Sequence, residues 1–235
     1  MNKKVCIITG TRAEYGLFLP LLRRLEADTL FEVQIMATGM HLSPEFGLTY
    51  REIEEDGFTI NEKIEILLSS DTGTGISKSI GLGVIGISEA LARLNPDALI
   101  ALGDRFETFA AVVSAYVARV PVVHLYGGET TEGAFDDGFR HSITKMSCLH
   151  FTSTESYRSR VIQLGEPPET VFNVGALGID NIKSVGLLSK EELEKSLACS
   201  FGPRCALVTF HPVTLEDNSA AEQFKNLLEA LETHD

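Results

Sequence analysis

Asp97-Ala98-Leu99-Ile100-Ala101-Leu102-Gly103-Asp104-Arg105-Phe106-Glu107 is the stretch that decides the fold. Residues 97–102 form a short, near-continuous apolar run, as in a strand covered on both faces of a parallel sheet. Gly103 interrupts it, and residues 106–118 continue as a strongly apolar helix. The same order opens the chain: an apolar run over 4–9, then Gly10-Thr11-Arg12, then a helical stretch over 14–27. Further strand-like runs lie at 31–37, 120–126 and 148–152, and further helical stretches at 44–56, 76–94, 138–147 and 154–164. Ser43-Pro44 predicts the start of the helix over 44–56, with serine as N-cap and proline at the first helical position. Strands alternating with helices through short links predict an α/β fold, a doubly wound Rossmann-like parallel sheet with right-handed crossovers. Ligands of such sheets bind beyond the carboxyl ends of the strands.

Near 165–180 the pattern changes. Gly165-Glu166-Pro167-Pro168 is a breaker, and Phe172-Asn173-Val174-Gly175 reads as a short strand closing a first domain over 1–175. Residues 176–235 then read as the start of a second Rossmann-like domain. There Ser189-Lys190-Glu191-Glu192 has capping-box spacing. Ala206-Leu207-Val208-Thr209-Phe210 predicts a strand ending at His211-Pro212, and a last helix runs from about 218 to 232. One strand and two helices enclose too little core, so the expectation is a second domain cut short and a chain that folds over 1–175 without turning over substrate by itself.

The 235 residues carry 20 basic and 33 acidic side chains, a formal charge of −13. That argues against nonspecific binding to nucleic acid or to an anionic membrane. No run of eighteen apolar residues occurs, so no membrane span is expected. The N-terminal apolar stretch is short and meets Arg12 and Glu14 at once, as a first strand and not a signal peptide. Cys6, Cys148, Cys199 and Cys205 lack CxxC spacing, and Cys6, Cys148 and Cys205 lie in apolar runs where a thiol fills core. A reducing, cytoplasmic location is expected. Gly81-Leu82-Gly83-Val84-Ile85-Gly86 matches G-x-G-x-x-G, but no strand precedes it and the glycines fall inside a helical pattern. Three glycines in a helix point to close packing against a neighbour or to a mobile segment, not to a dinucleotide.

The charged residues gather at strand ends. Gly10 permits a turn, and the following helix N-terminus favours an anion to which Arg12 adds a charge; the plain alternative is a surface arginine. Asp104 is either an N-cap or a cleft carboxylate with Arg105 beside it. The loop His124-Leu125-Tyr126-Gly127-Gly128-Glu129-Thr130-Thr131-Glu132-Gly133-Ala134-Phe135-Asp136-Asp137-Gly138-Phe139-Arg140-His141 concentrates acids, histidines and an arginine around glycines. If 136–147 is helical, Asp136 faces Arg140 and Asp137 faces His141 at i,i+4. No tight ligand spacing supports zinc. His211, before a proline, is expected to point from its strand end into a cleft.

Gly10-Thr11-Arg12, Gly103-Asp104-Arg105-Phe106-Glu107, the His124–Glu129 loop, Asp136-Asp137 with Arg140-His141, and Phe210-His211-Pro212-Val213 together resemble the hydrolysing UDP-N-acetylglucosamine 2-epimerases of sialic-acid-type sugar pathways. The resemblance runs from residue 3 to about 215. It implies two Rossmann-like domains around a cleft, as in GT-B glycosyltransferases, of which this chain holds the first and part of the second. It implies a UDP-sugar substrate, no metal or other cofactor, and a homodimer or higher homo-oligomer. It places Arg12, Arg105 and His211 near the UDP, and Asp104, Asp136 and Arg140 at the sugar, with His141 beside them among the substrate-binding residues. Tyr126 departs from the pattern, standing where several relatives carry a glutamate in His-x-Glu-Gly-Gly-Glu; Gly16 stands where some carry a serine. Glu129 is the nearest substitute for that carboxylate, so the expected catalytic set is Asp104, Glu129, Asp136 and His211. The change at Tyr126 is expected to mark a different sugar, such as a diacetamido-trideoxyhexose. Competing expectations are a non-hydrolysing epimerase, a GT-B glycosyltransferase and a non-catalytic nucleotide-sugar sensor.

Overall fold

The computed structural model describes residues 2–68, 70, 72–131, 135–211 and 219–233. Among them the strands form one seven-stranded parallel sheet, ordered β3-β2-β1-β4-β5-β6-β7. The strands are β1 (Lys3–Thr9), β2 (Phe31–Thr38), β3 (Glu62–Ile64), β4 (Ala98–Leu102), β5 (Val122–Leu125), β6 (Leu149–Thr152) and β7 (Val171–Asn173). β1 lies inside the sheet beside the central β4, with Val5 next to Val33 of β2 and to Ala98 of β4. The order reverses there, so the turns after β1 and β4 open at the same point of the carboxyl edge.

Two cores cover the faces. Cys6, Ile8, Met36, Leu99 and Ala101 pack under α3 (Gly73–Leu94) and α4 (Phe106–Val117). Val5, Ile7, Ile35, Ile100 and Leu102 pack with Tyr15, Phe18 and Leu22 of α1 (Arg12–Ala27). Alternate residues of one strand thus enter opposite cores, which is why these strands read as continuous apolar runs. By length and composition α3 could cross a membrane; here Ile87, Ala90 and Leu91 belong to the first core.

All of Gly81, Gly83 and Gly86 lie within α3, so no dinucleotide turn forms. A Cβ on Gly83 would stand 2.9 Å from Ala110 Cβ of α4, and one on Gly86 2.6 Å from Ile64 Cγ2, whereas one on Gly81 meets nothing within 4 Å. Two of the three glycines therefore permit close approach.

Several expectations change. Ser43-Pro44 opens only a 3-10 turn, Pro44–Phe46; Gly47 and Leu48 both take positive φ (85° and 51°), and the helix, α2, begins afterwards at Tyr50–Glu55. The three-residue β3 was too short to show a period. Cys6 is core, but Cys148 and Cys205 are exposed, and all four cysteines are free.

The remaining helices of the sheet are α5 (Asp137–Lys145) and α6 (Glu155–Gln163). Beyond β7, α7 (Leu177–Ser184) ties back to the first unit through Gly178 N–H on the Tyr126 hydroxyl (3.4 Å) and Asn181 Nδ2 on Gly16 O (3.1 Å). The chain divides into two compact units, 1–130 with 136–183, and 131–135 with 184–235. In the second unit α8 (Lys190–Leu197) has the expected Ser189/Glu192 capping box, and α9 (Ala220–Glu232) follows. Ala206–Phe210 forms no strand: no described segment pairs with it, and Leu207 is almost fully exposed. Apolar sequence alone makes no ladder without a partner. Pro212, Val213 and Glu132–Ala134 lie outside the described residues.

The glycines of α3 give a test. Gly81→Ala is expected to stabilise the chain by about 0.5–1 kcal/mol, the ordinary gain in an open helix position. Gly83→Ala forces α3 from α4 and is expected to cost about 1–3 kcal/mol. Urea unfolding of the two variants checks the sign of each; equal effects would contradict this packing.

Candidate functional site

The side chains with the most polar chemistry converge where β4, β5 and β6 end. β4 ends at Leu102, Gly103 turns the chain with φ +73°, and Asp104 follows. β5 ends at Leu125, and Tyr126 and Gly128 both take positive φ (65° and 80°) before Glu129. A Cβ on Gly128 would lie 2.4 Å from the Tyr157 carbonyl, so only glycine passes there. Arg140, buried on α5, joins the two turns. Its Nη2 donates to Asp104 Oδ2, and its Nη1 donates to Glu129 Oε2 at 3.3 Å. The other Glu129 oxygen accepts from Ser153 Oγ, just after β6, at 2.5 Å. Arg140 Nε is buried and makes no hydrogen bond among the described residues. Asp136 is the N-cap of α5 but makes no side-chain cap bond. Burial raises its pKa and the Asp104 charge raises it further, against the lowering pull of Arg105 and Arg140.

A second acid group adjoins the turn after β1. Glu14 closes the α1 capping box with Thr11, accepting the Gly10 and Thr11 N–H groups at 2.7 and 3.1 Å. Glu107, buried in the first turn of α4, receives Arg105 Nε at 3.2 Å and Nη2 at 2.9 Å. Burial pushes the Glu14 pKa up to about 7, opposed by Arg105 and the two N–H groups and assisted by Glu107. The Thr11-x-x-Glu14 spacing could have revealed the capping box from sequence. Nothing in the sequence marked Glu107 or Ser153 as partners.

Asp104 and Glu129 are joined through Arg140, and Asp136 lies near enough to feel the charges of Asp104, Arg105 and Arg140. The Asp136–Arg140 side-chain pair expected at i,i+4 gives way to Arg140 binding Asp104 and Glu129, across 36 and 11 residues of sequence. Asp104 is not the N-cap of α4; Arg105 holds that position. His141 follows Arg140 on α5, and its Nδ1 is buried with no hydrogen-bond partner among the described residues. Arg12 stands exposed, paired with Glu52 at 2.8 Å. His211 is exposed and belongs to the second unit.

The sequence profile of the UDP-N-acetylglucosamine 2-epimerase family matches residues 23–235. The chain belongs to this family. It is 45% identical over 232 residues to the Campylobacter jejuni GDP/UDP-N,N'-diacetylbacillosamine 2-epimerase (hydrolyzing), covering 99% of this chain and 60% of that protein. Identity to the Legionella pneumophila UDP-N,N'-diacetylbacillosamine 2-epimerase (hydrolyzing) is 36% over 230 residues, covering 98% and 61%. The fold matches a crystal structure of UDP-GlcNAc 2-epimerase from Neisseria meningitidis bound to UDP-GlcNAc with a TM-score of 0.69 at 20% identity, over 82% of this chain and 50% of that one. The chain spans about 60% of the length of these curated relatives.

In this chain Tyr126 is partly buried. Its ring packs with the apolar cluster under α1, and its hydroxyl receives Gly178 N–H. The carboxylate reaching the Asp104–Arg140 group from this loop is Glu129.

Glu14 supplies a pH test. Its folded pKa of about 7 lies above the ordinary 4.5, so the folded chain holds a proton that the unfolded chain has released. Stability from this group is thus lost as pH rises from about 4.5 to about 7, by at most ~1.4 kcal/mol per pH unit. Glu14→Gln keeps the acceptor without the titration. Its stability relative to wild type is expected to rise across that window and level off above it; a pH-independent difference measured by urea unfolding contradicts the buried, protonated Glu14.

Proposed function

We propose that the full-length protein is a hydrolysing 2-epimerase that converts a UDP-N-acetylglucosamine-type sugar to UDP and the free 2-epimer, N-acetylmannosamine or a diacetamido homologue. The observation that carries this reading is the Arg140-bridged pair of Asp104 and Glu129, with Asp136 beside them at the carboxyl edge of the sheet. The activities of the Campylobacter and Legionella relatives favour the diacetamido sugar.

A ring C2–H is barely acidic. It becomes removable only as the C1–O bond to UDP breaks, the bonding electrons leave with the diphosphate, and the anomeric carbon gains cationic character. Carboxylates close to that carbon stabilise it. Asp104, held by Arg140, is assigned to take the C2 proton, leaving a glycal with UDP released. Asp136, with its raised pKa, is assigned to return a proton to the opposite face of C2, and Glu129 to orient the water that adds at C1. The balance is substrate plus water giving UDP plus free sugar. Arg12, Arg105 and His211 are assigned to the diphosphate and His141 to substrate binding, following the family pattern; of these, Arg12 would exchange Glu52 for a phosphate oxygen. We further infer a cytoplasmic homo-oligomer acting in a sialic-acid-type sugar pathway.

Incubating the full-length gene product with the UDP-sugar in D2O, followed by NMR, tests the reading. Free 2-epimer carrying deuterium at C2, with UDP released, is expected; a UDP-linked epimer would indicate the non-hydrolysing reaction instead. Asp104→Asn and Asp136→Asn are each expected to lose about 10²–10⁴-fold in kcat. Near-full activity in either variant removes that residue from the mechanism.

A further inference from the structure

His124 lies in β5, fully buried, and the scheme above gives it no work. Its ring nevertheless touches the three segments that carry the acid group. Nε2 lies 2.8 Å from the carbonyl oxygen of Gly103, the turn that presents Asp104. Nδ1 lies 3.1 Å from Thr144 Oγ1, on α5 one turn after Arg140. A Cβ on Gly127 would stand 3.0 Å from Nδ1, so the turn leading to Glu129 closes directly over the ring.

The hydrogen bonds determine the tautomer. A carbonyl oxygen only accepts, so Nε2 carries the proton. Nδ1 is then an acceptor and takes the Thr144 hydroxyl. Both nitrogens are satisfied in the neutral ring. Burial, above all, drives the pKa down to about 3, with the charges of His150, Arg140 and His141 adding to it. Burial disfavours the charged ring, and a rotating ring would keep neither bond.

We propose that His124 is a positioning residue, a neutral strut holding the Gly103 turn, the Gly127 turn and α5 in the one arrangement that lets Arg140 bridge Asp104 and Glu129. The leverage is short: Thr144 and Arg140 share a helix face at i,i+4, so slack at Thr144 moves the guanidinium directly. The role rests on the Asp104–Arg140–Glu129 group being the reacting end of the site, as assigned above. An ordinary core histidine would affect folding without affecting that group.

Three variants separate the two roles. Thr144→Val keeps the shape of α5 and removes one bond. His124→Leu removes both, leaving the Gly103 carbonyl and the Thr144 hydroxyl unpaired. His124→Gln can restore both, its amide N–H donating to Gly103 and its oxygen accepting from Thr144. In the full-length gene product, Thr144→Val and His124→Leu are expected to lower kcat on the order of 10²-fold with KM nearly unchanged, and His124→Gln to recover most of it. A second readout needs no turnover and a mild variant: the guanidinium nitrogen signals of Arg140 in ¹⁵N NMR, expected to show restrained rotation in wild type and His124→Gln, and averaged rotation in Thr144→Val. Loss of melting temperature with kcat and the Arg140 signals unchanged would overturn the proposal. A wild type that fails to turn over the UDP-sugar, yet whose Arg140 signals still depend on Thr144, contradicts the epimerase reading and supports the strut.

Discussion

A buried guanidinium is tolerable only when its charge is matched. Arg140 matches its charge through its two terminal nitrogens, drawing in Asp104 from the turn after β4 and Glu129 from the loop after β5, while its Nε has no hydrogen-bond partner among the described residues. Those segments must then end within reach of α5. The requirement accounts for local features that otherwise look unfavourable: Tyr126, a non-glycine residue at positive φ, and Gly128, pressed against the Tyr157 carbonyl. Ser153 completes the arrangement by taking the remaining Glu129 oxygen.

The acids outnumber the cations around this edge. Among the described residues, Asp104 and Glu129 pair with Arg140 and Glu107 with Arg105, while burial above all, with smaller help from neighbouring carboxylates, makes Glu14 and Asp136 hold protons more tightly. Such a group suits a carbon that becomes positive better than it suits a diphosphate. Arg105 is already committed to Glu107 by two hydrogen bonds. Arg12 stands exposed at the N-terminus of α1, where the helix also favours an anion.

The sheet was legible because each buried strand had to be apolar on both faces, so Leu99-Ile100-Ala101-Leu102 could hardly be anything else. The position of Asp104 and Glu129 beyond strand ends followed from the same pattern. What the sequence concealed was long-range partnership. Asp104 looked equally like a helix cap until Arg140, 36 residues on, proved to hold it, and the local Asp136–Arg140 pair lost to that contact. Ser43-Pro44 suggested a helix because its start signals are strong, but Gly47 and Leu48 then break it with positive φ. Ala206–Phe210 has the composition of a strand and no described partner to pair with. Composition reports what a segment could bury, and the neighbours decide whether it does.

The coupling between Asp104 and Arg140 is the quantity on which the site depends. A double-mutant cycle with Arg140→Met, Asp104→Asn and the two combined, read by urea unfolding, measures it directly. The account predicts that Arg140→Met, which leaves both carboxylates unpaired, costs about 3 kcal/mol or more, and that Asp104→Asn, with Glu129 still on Arg140, costs about 2 kcal/mol. The second change, made on top of the first, should then cost far less, for a coupling of about 2 kcal/mol or more. Strictly additive effects would show that the two side chains do not hold each other, and the Arg140-centred site would fall with them.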